Sequence, residues 1–304
     1  MIRYGLCCIF RKEPIRFRRT TATYLKKYSR STQVQYLADL CFHNARELFR
    51  ALEFCTAQGI GSFRIMSQIL PLKTHPDLGY DIHELPGYKK IIAEFKHCGT
   101  LCRQHDLRTT FHPDQFVVLS SPSPDVTRRS VAELTYQAEV AAWVGADVIT
   151  LHAGGVYGDK NAALRRLSHT LERLPQGVIT RLALENDDCC YAPKDLLPLC
   201  KDFGIPLVYD VHHHRCLPDG MSVEAATEQA CATWNREPVV HLSSPLHRTR
   251  LGMKKLHHDY INPRDFPSCW RGMSITIEVE AKAKELAVLR LMRAIEKNDN
   301  GVRR

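Results

Sequence analysis

The 304-residue chain predicts an α/β fold, a single (β/α)8 TIM barrel. Strand-like and helix-like stretches alternate from one end to the other, without internal repeat, low-complexity tract or linker. Six strand-like stretches in a row also finish on a histidine or a carboxylate, and barrel enzymes build their sites at the C-terminal strand ends. The whole of residues 1–304 is therefore expected to form one domain.

The expected strands span residues 2–8, 62–66, 108–112, 147–152, 181–185, 206–210, 239–242 and 274–280. Each is a short apolar run, rich in β-branched residues and bounded by turn-forming ones. Amphipathic helices are expected over 37–58, 126–144, 162–174 and 192–203. Ser123-Pro124-Asp125 and Asp159 supply start signals for two of them. Residues 10–32 interrupt the alternation and read as a long first loop rich in Arg and Lys, including Arg16, Arg18 and Arg19. A second basic loop covers 248–255, with Lys254 and Lys255.

Hydrophobic residues make up 44% of the chain, enough for a sizeable core, and no apolar run is long enough to span a bilayer. The N-terminal residues have no basic-then-apolar-then-small pattern, so a cytoplasmic protein is expected. Twelve cysteines are scattered through strand and helix patterns. In a chain of this size and compartment they read as reduced thiols, not a disulfide framework. The formal net charge of +9 favours a polyanionic partner, nucleic acid above a membrane surface.

The strand ends carry the chemistry. His112, His152, Glu185, Asp210, His241 and Glu280 close strands three to eight, with His213 just after Asp210 and His257 in the loop after strand seven. A lone histidine of this kind is ordinary, but six polar groups converging on apolar strand ends are costly without a charge to neutralise. Mixed imidazole and carboxylate donors suit Zn²⁺, Mn²⁺ or Fe²⁺ better than Mg²⁺ or Ca²⁺. Eight candidate ligands exceed the needs of one ion, so two or three are expected. Clustered ions of this type hydrolyse phosphoesters, and the basic loops make a nucleic-acid backbone the natural substrate.

The segments Phe111-His112-Pro113-Asp114-Gln115-Phe116, Leu151-His152-Ala153-Gly154-Gly155, Ala183-Leu184-Glu185-Asn186-Asp187, Val208-Tyr209-Asp210-Val211-His212-His213-His214, Val240-His241-Leu242-Ser243-Ser244 and Val279-Glu280-Ala281-Lys282 resemble, in order and spacing, the motif series of the UV damage endonucleases. The resemblance begins at Arg3-Tyr4-Gly5-Leu6 and runs to about Glu285. It implies a TIM-barrel nuclease distantly akin to endonuclease IV. Such an enzyme binds damaged double-stranded DNA and cuts the phosphodiester immediately 5′ of a UV photoproduct, leaving a 3′-hydroxyl. It also implies divalent metal ions, Mn²⁺ first with Zn²⁺ or Co²⁺ as alternatives, up to three per chain. No membrane and no obligate protein partner are implied, and a monomer is expected.

The resemblance makes His112, His152, Glu185, Asp210, His213, His241, His257 and Glu280 the metal ligands, with Glu185 bridging two ions. His112, His152, Glu185, Asp210 and Glu280 carry the catalysis. Gln115 and Phe116 match a probing pair that wedges into the duplex opposite the lesion, where an aromatic ring can replace lost stacking. The alternative for Phe116 is an ordinary buried side chain. His75 resembles a histidine near the substrate phosphate. Arg64 either holds phosphate or makes a structural salt bridge, and Tyr157 and Lys160 are further phosphate candidates. The chain departs from relatives at Val239, where many have a lysine, and at Cys7-Cys8. Two other readings stand beside this one: a metal-dependent sugar isomerase on the same barrel, and a damage-binding protein without catalysis.

Overall fold

In the computed structural model, which describes residues 2–247, 249 and 254–302 with side chains to residue 297, eight parallel strands close in sequence order into a barrel. They are β1 (Ile2–Cys7), β2 (Ser62–Ile65), β3 (Arg108–Phe111), β4 (Val148–His152), β5 (Leu182–Glu185), β6 (Leu207–Asp210), β7 (Val239–Leu242) and β8 (Ile275–Val279). Pairing of β1 with β8, Leu6 opposite Val279, completes the ring. The helices are α1 (Ala22–Leu25), α2 (Arg30–Ala57), α3 (Tyr88–Gln104), α4 (Pro124–Val144), α5 (Lys160–Leu171), α6 (Gln176–Ile179), α7 (Pro193–Phe203), α8 (Val211–Cys216), α9 (Val223–Cys231) and α10 (Glu285–Val302).

The period-two pleat explains both surfaces of the barrel. Phe63, Ile65, Ile149, Leu151, Leu182, Leu184, Leu207, Tyr209, Ile275 and Ile277 all join the large core that includes the helices. The alternate residues Val148, Ala183, Val208 and Val239 form a separate apolar cluster inside β4–β7. On the opposite side the interior is polar: Arg64 of β2, Thr110 of β3 and Glu278 of β8 are linked by hydrogen bonds. All twelve cysteines are free thiols, and no described helix is long and apolar enough to cross a membrane.

Most expected boundaries shift by a residue or more, and three of these shifts bear on the site and its approach. The helix expected from residue 37 begins at Arg30. Ser29 caps it by accepting from the Thr32 amide, and the polar first turns hide the apolar periodicity. Strands β3 and β8 stop one residue before His112 and Glu280, which therefore open the loops at the rim. The 10–32 segment holds α1 and is pinned by buried acceptors. Glu285 accepts from the Arg11 and Lys12 amides, Glu47 from Arg16, and Asn44 from Arg18. Its cations Arg16, Arg18 and Arg19 remain at least partly exposed. Of the second basic loop, Arg248 and residues 250–253 lie outside the described residues, whereas Lys254 and Lys255 are exposed.

Candidate metal centre and nucleic-acid interface

The strand ends bring seven of the eight expected ligands into three interlocking donor groups: His112, His152 and Glu185; Glu185, Asp210 and His213; and His112, His241 and Glu280. Within each group the donor atoms lie within 4.8 Å of one another. The eighth, His257, joins through Glu280, with Nδ1 3.6 Å from its Oε2. Glu185 is the hub and is fully buried. Its Oε2 faces His112 Nε2 at 2.8 Å and His152 Nε2 at 3.5 Å. Its Oε1 faces His241 Nδ1 at 2.9 Å and His213 Nδ1 at 3.4 Å.

These contacts ask for cations. His112 spends its Nδ1 proton on the Pro113 carbonyl at 3.0 Å, so its Nε2 lone pair points at a carboxylate unless a cation stands between them. Asp210 accepts from the His213 amide through Oδ1, while its buried Oδ2 has no hydrogen-bond partner among the described residues. Among those residues that oxygen has only the His213 Nδ1 contact at 3.6 Å, and a buried carboxylate oxygen without a hydrogen bond is rare in a stable protein. Burial disfavours charge on His213 and His241, but Asp210 and Glu185 outweigh it for His213, raising it to about 11. Glu185, with a hydrogen bond to Glu278, raises His241 to about 10. His213 and His241 are thus pushed toward the charged form, whereas burial pushes His152, in the same pocket, below its ordinary value. The donor set fits clustered divalent ions of the borderline type.

Local sequence explains the placement. Asp210 is both the last residue of β6 and the N-cap of α8, so His213 lies one turn further on the same side. Asn186 ties β5 to β6 by accepting from the Asp210 amide at 2.9 Å and donating to its carbonyl. Asp187 accepts from the Cys189 and Tyr191 amides and so fixes the loop that follows Glu185.

Around the cluster, Phe116 is 79% exposed at the tip of the β3–α4 loop, beside exposed Gln115. The alternative of a buried Phe116 is therefore wrong. The loop bends because Val117 N donates to the Asp114 carbonyl, and Asp114 is anchored by Ser67 and Gln68. Gln115 and Phe116 border a cleft of about 830 Å³ that His75 also lines. His75 Nδ1 accepts from the Asp77 and Leu78 amides, which leaves its proton on Nε2 as a donor. Tyr157 is half exposed. Lys160 is paired with Asp195 at 2.8 Å, so its charge is already engaged.

The phosphate role for Arg64 is overturned. Its guanidinium is buried, the residue only 7% exposed, and reaches Glu278 through Nε and Glu280 Oε1 through an Nη at 2.6 Å. The salt-bridge alternative is the one the fold adopts. Glu278 escaped the sequence reading because it precedes Glu280 by two residues in an apolar strand. Period-two alternation from Glu280 would have placed it inside the barrel.

A closed parallel barrel whose strand ends gather shared histidine and carboxylate donors under an open, cation-bearing rim defines a TIM-barrel protein with a candidate divalent-metal site. The chain belongs to the UV-endonuclease UvdE family, whose model matches residues 2–303. It is 35% identical over 286 residues to the UV DNA damage endonuclease of Bacillus velezensis, covering 90% of this chain and 87% of that protein. The Bacillus pumilus UV DNA damage endonuclease is 33% identical over 82% of this chain and 79% of its own length. The crystal structure of SacUVDE superposes with a TM-score of 0.87 at 25% identity, covering 98% and 99% of the two chains. Endonuclease IV from Thermus thermophilus shares the fold, with a TM-score of 0.62 at 17% identity over 97% and 98%.

Proposed function

We propose that this chain is a divalent-metal-dependent DNA repair endonuclease. It hydrolyses the phosphodiester immediately 5′ to a UV photoproduct in duplex DNA and leaves a 3′-hydroxyl. The observation that carries this reading is the sharing of Glu185 and His112 between donor groups, which suits two or three adjacent ions, together with family membership. His112, His152, Glu185, Asp210, His213, His241, His257 and Glu280 hold the ions, Mn²⁺ first and Zn²⁺ or Co²⁺ as alternatives. When bound, such ions lower the pKa of a water and neutralise charge on the attacked phosphate and the leaving oxygen.

The chain's own residues do the rest. Glu185 sends its two oxygens to different histidines, the arrangement a bridging carboxylate needs. The Pro113 carbonyl orients His112, and Asn186 holds the β5 and β6 ends in register. The exposed ring of Phe116 and the amide of Gln115 enter the duplex opposite the lesion and fill the stacking gap. A distorted base step costs less to open, so the wedge discriminates damaged from intact DNA. His75 offers Nε2–H to a phosphate, and the exposed Tyr157 brings its hydroxyl as a second donor; Lys160 must first leave Asp195 to assist. The 10–32 loop and Lys254–Lys255 lay cations along the flanking phosphates, which positions the duplex without reading it. The ligands come from β3 through to the residue after β8, in keeping with residues 1–304 acting as one domain; on the family reading the protein acts as a monomer in the cytoplasm.

The test uses a duplex with one defined photoproduct and its undamaged twin, each incubated with protein and Mn²⁺. The expected result is a single nick directly 5′ of the photoproduct, extendable by a polymerase. A nick elsewhere, equal cutting of both duplexes, or full activity in excess chelator would reject the reading.

A further inference from the structure

A second carboxylate lies one layer beneath the metal-binding rim. Glu278 is inside the barrel, 1% exposed, opposite His241 in the β7–β8 register. Its Oε1 accepts from the Thr110 hydroxyl, and its Oε2 faces both Arg64 Nε and His241 Nε2, the latter at 3.1 Å. Both oxygens are therefore satisfied, and neither is free to ligate an ion.

The arrangement matters because His241 can carry its proton on either nitrogen. Arg64 can only donate, and one of its Nη atoms is also 3.2 Å from His241 Nε2. Were His241 to accept there, its proton would sit on Nδ1, pointing at Glu185 at 2.9 Å and closing that nitrogen to metal. With Nε2–H donating to Glu278, the Nδ1 lone pair faces Glu185 and Glu280, in the donor group it forms with His112. A ligating histidine whose far nitrogen donates to a carboxylate is held in one tautomer and one orientation. Arg64 then serves two acids, Glu278 below and Glu280 at the rim.

We infer that Glu278 is a positioning residue for the metal centre: it selects the Nε2–H tautomer of His241 so that Nδ1 is a ligand, with Arg64 holding Glu278 and Glu280 in place. The inference rests on the metal-centre part of the proposed function. It is read from metal binding without DNA, so a wild type that fails to nick would reject the endonuclease reading and leave this one standing.

Glu278→Gln keeps the volume and an acceptor for Thr110 but removes the anion. In equilibrium Mn²⁺ titrations read by the paramagnetic resonance of the free ion, one bound ion should weaken roughly 10–100-fold while the others keep wild-type affinity. In zinc-loaded, diamagnetic wild type, the ¹⁵N spectrum should show His241 as the Nε2–H tautomer. Where Glu278→Gln leaves Arg64 unbalanced and the barrel fails to fold, Arg64→Met with Glu278→Met removes the lower ion pair and leaves Glu280 to the bound ion; buried pairs replaced in this way generally keep a stable fold. That double variant should bind the same ion weakly, and its zinc-loaded ¹⁵N spectrum should no longer show His241 as a single Nε2–H tautomer, a readout that loss of the Arg64–Glu280 pair alone does not move. Wild-type Mn²⁺ affinity in either folded variant, or an Nδ1–H His241 in the loaded wild type, would overturn the inference.

Discussion

The two halves of the barrel interior are equally buried and built oppositely. Inside β4–β7, Val148, Ala183, Val208 and Val239 make an apolar plug, with Trp234 packed against it. Inside β8, β2 and β3, Glu278, Arg64 and Thr110 make a charged network. Above the plug, Glu185 and Asp210 reach the rim on strands held by packing and by the neutral Asn186 hydrogen bonds, with no buried ion pair beneath them among the described residues. Glu280, above the network, and His241, on β7 at the border of the two halves, are held by charge as well, through Arg64 and Glu278. One side of the candidate metal centre thus stands on packing and neutral hydrogen bonds, the other on buried charge, and the two should fail in different ways.

The largest contrast is expected between Glu185→Ala and Arg64→Leu. Glu185→Ala should abolish nicking and reduce bound metal while far-ultraviolet circular dichroism still reports a folded barrel. Arg64→Leu leaves Glu278 and Glu280 without their shared cation, and breaking one side of a buried pair costs about 3–5 kcal/mol. Urea denaturation should show that loss before any assay of cutting. Equal stability of wild type and Arg64→Leu would erase the distinction between the halves.

A smaller effect tests whether recognition is separate from both halves. Gln115→Ala with Phe116→Ala should lower the preference for damaged over intact duplex roughly ten- to a hundredfold, from base–aromatic stacking of about 1–3 kcal/mol. Metal content should not change. An unaltered preference in a binding competition would remove the wedge from the mechanism.

Val239→Ala probes the plug alone. Trimming two methyl groups in a packed core should cost about 1–3 kcal/mol, seen as a lower urea midpoint, with wild-type Mn²⁺ stoichiometry. Altered metal affinity in this variant would mean that the apolar half also tunes the centre. The smallest effect is expected at the rim, where neutralising Arg16, Arg18 and Arg19 should weaken damaged and intact DNA alike. It should also flatten the log–log salt dependence by about 0.9 for each phosphate that the loop no longer neutralises. Superimposable salt titrations would show that these side chains do not meet DNA.

The sequence determined the barrel itself, because eight short β-branched runs alternating with amphipathic stretches have few other ways to bury both faces of every strand. It also determined the metal-type donor set, since strand direction alone sends each terminal His, Asp or Glu to one rim. The early start of α2 was less legible: Ser29 and Gln33 fix it through polar bonds, Ser29 to Thr32 and Gln33 to the Leu25 and Tyr28 carbonyls, which leave no apolar period. Only the tertiary structure decided that Phe116 is exposed and that Arg64 points into the barrel, not toward a ligand outside. Periodicity places a residue on the inner face of its strand but does not say which charges meet there. Arg64 lies 214 positions along the chain from Glu278, and its partnership with Glu278 and Glu280 exists only because β8 closes back on β1, next to β2. Closure is a property of the whole sheet, which is why no local signal around Arg64 could distinguish a phosphate ligand from a buried cation paired with Glu278 and Glu280.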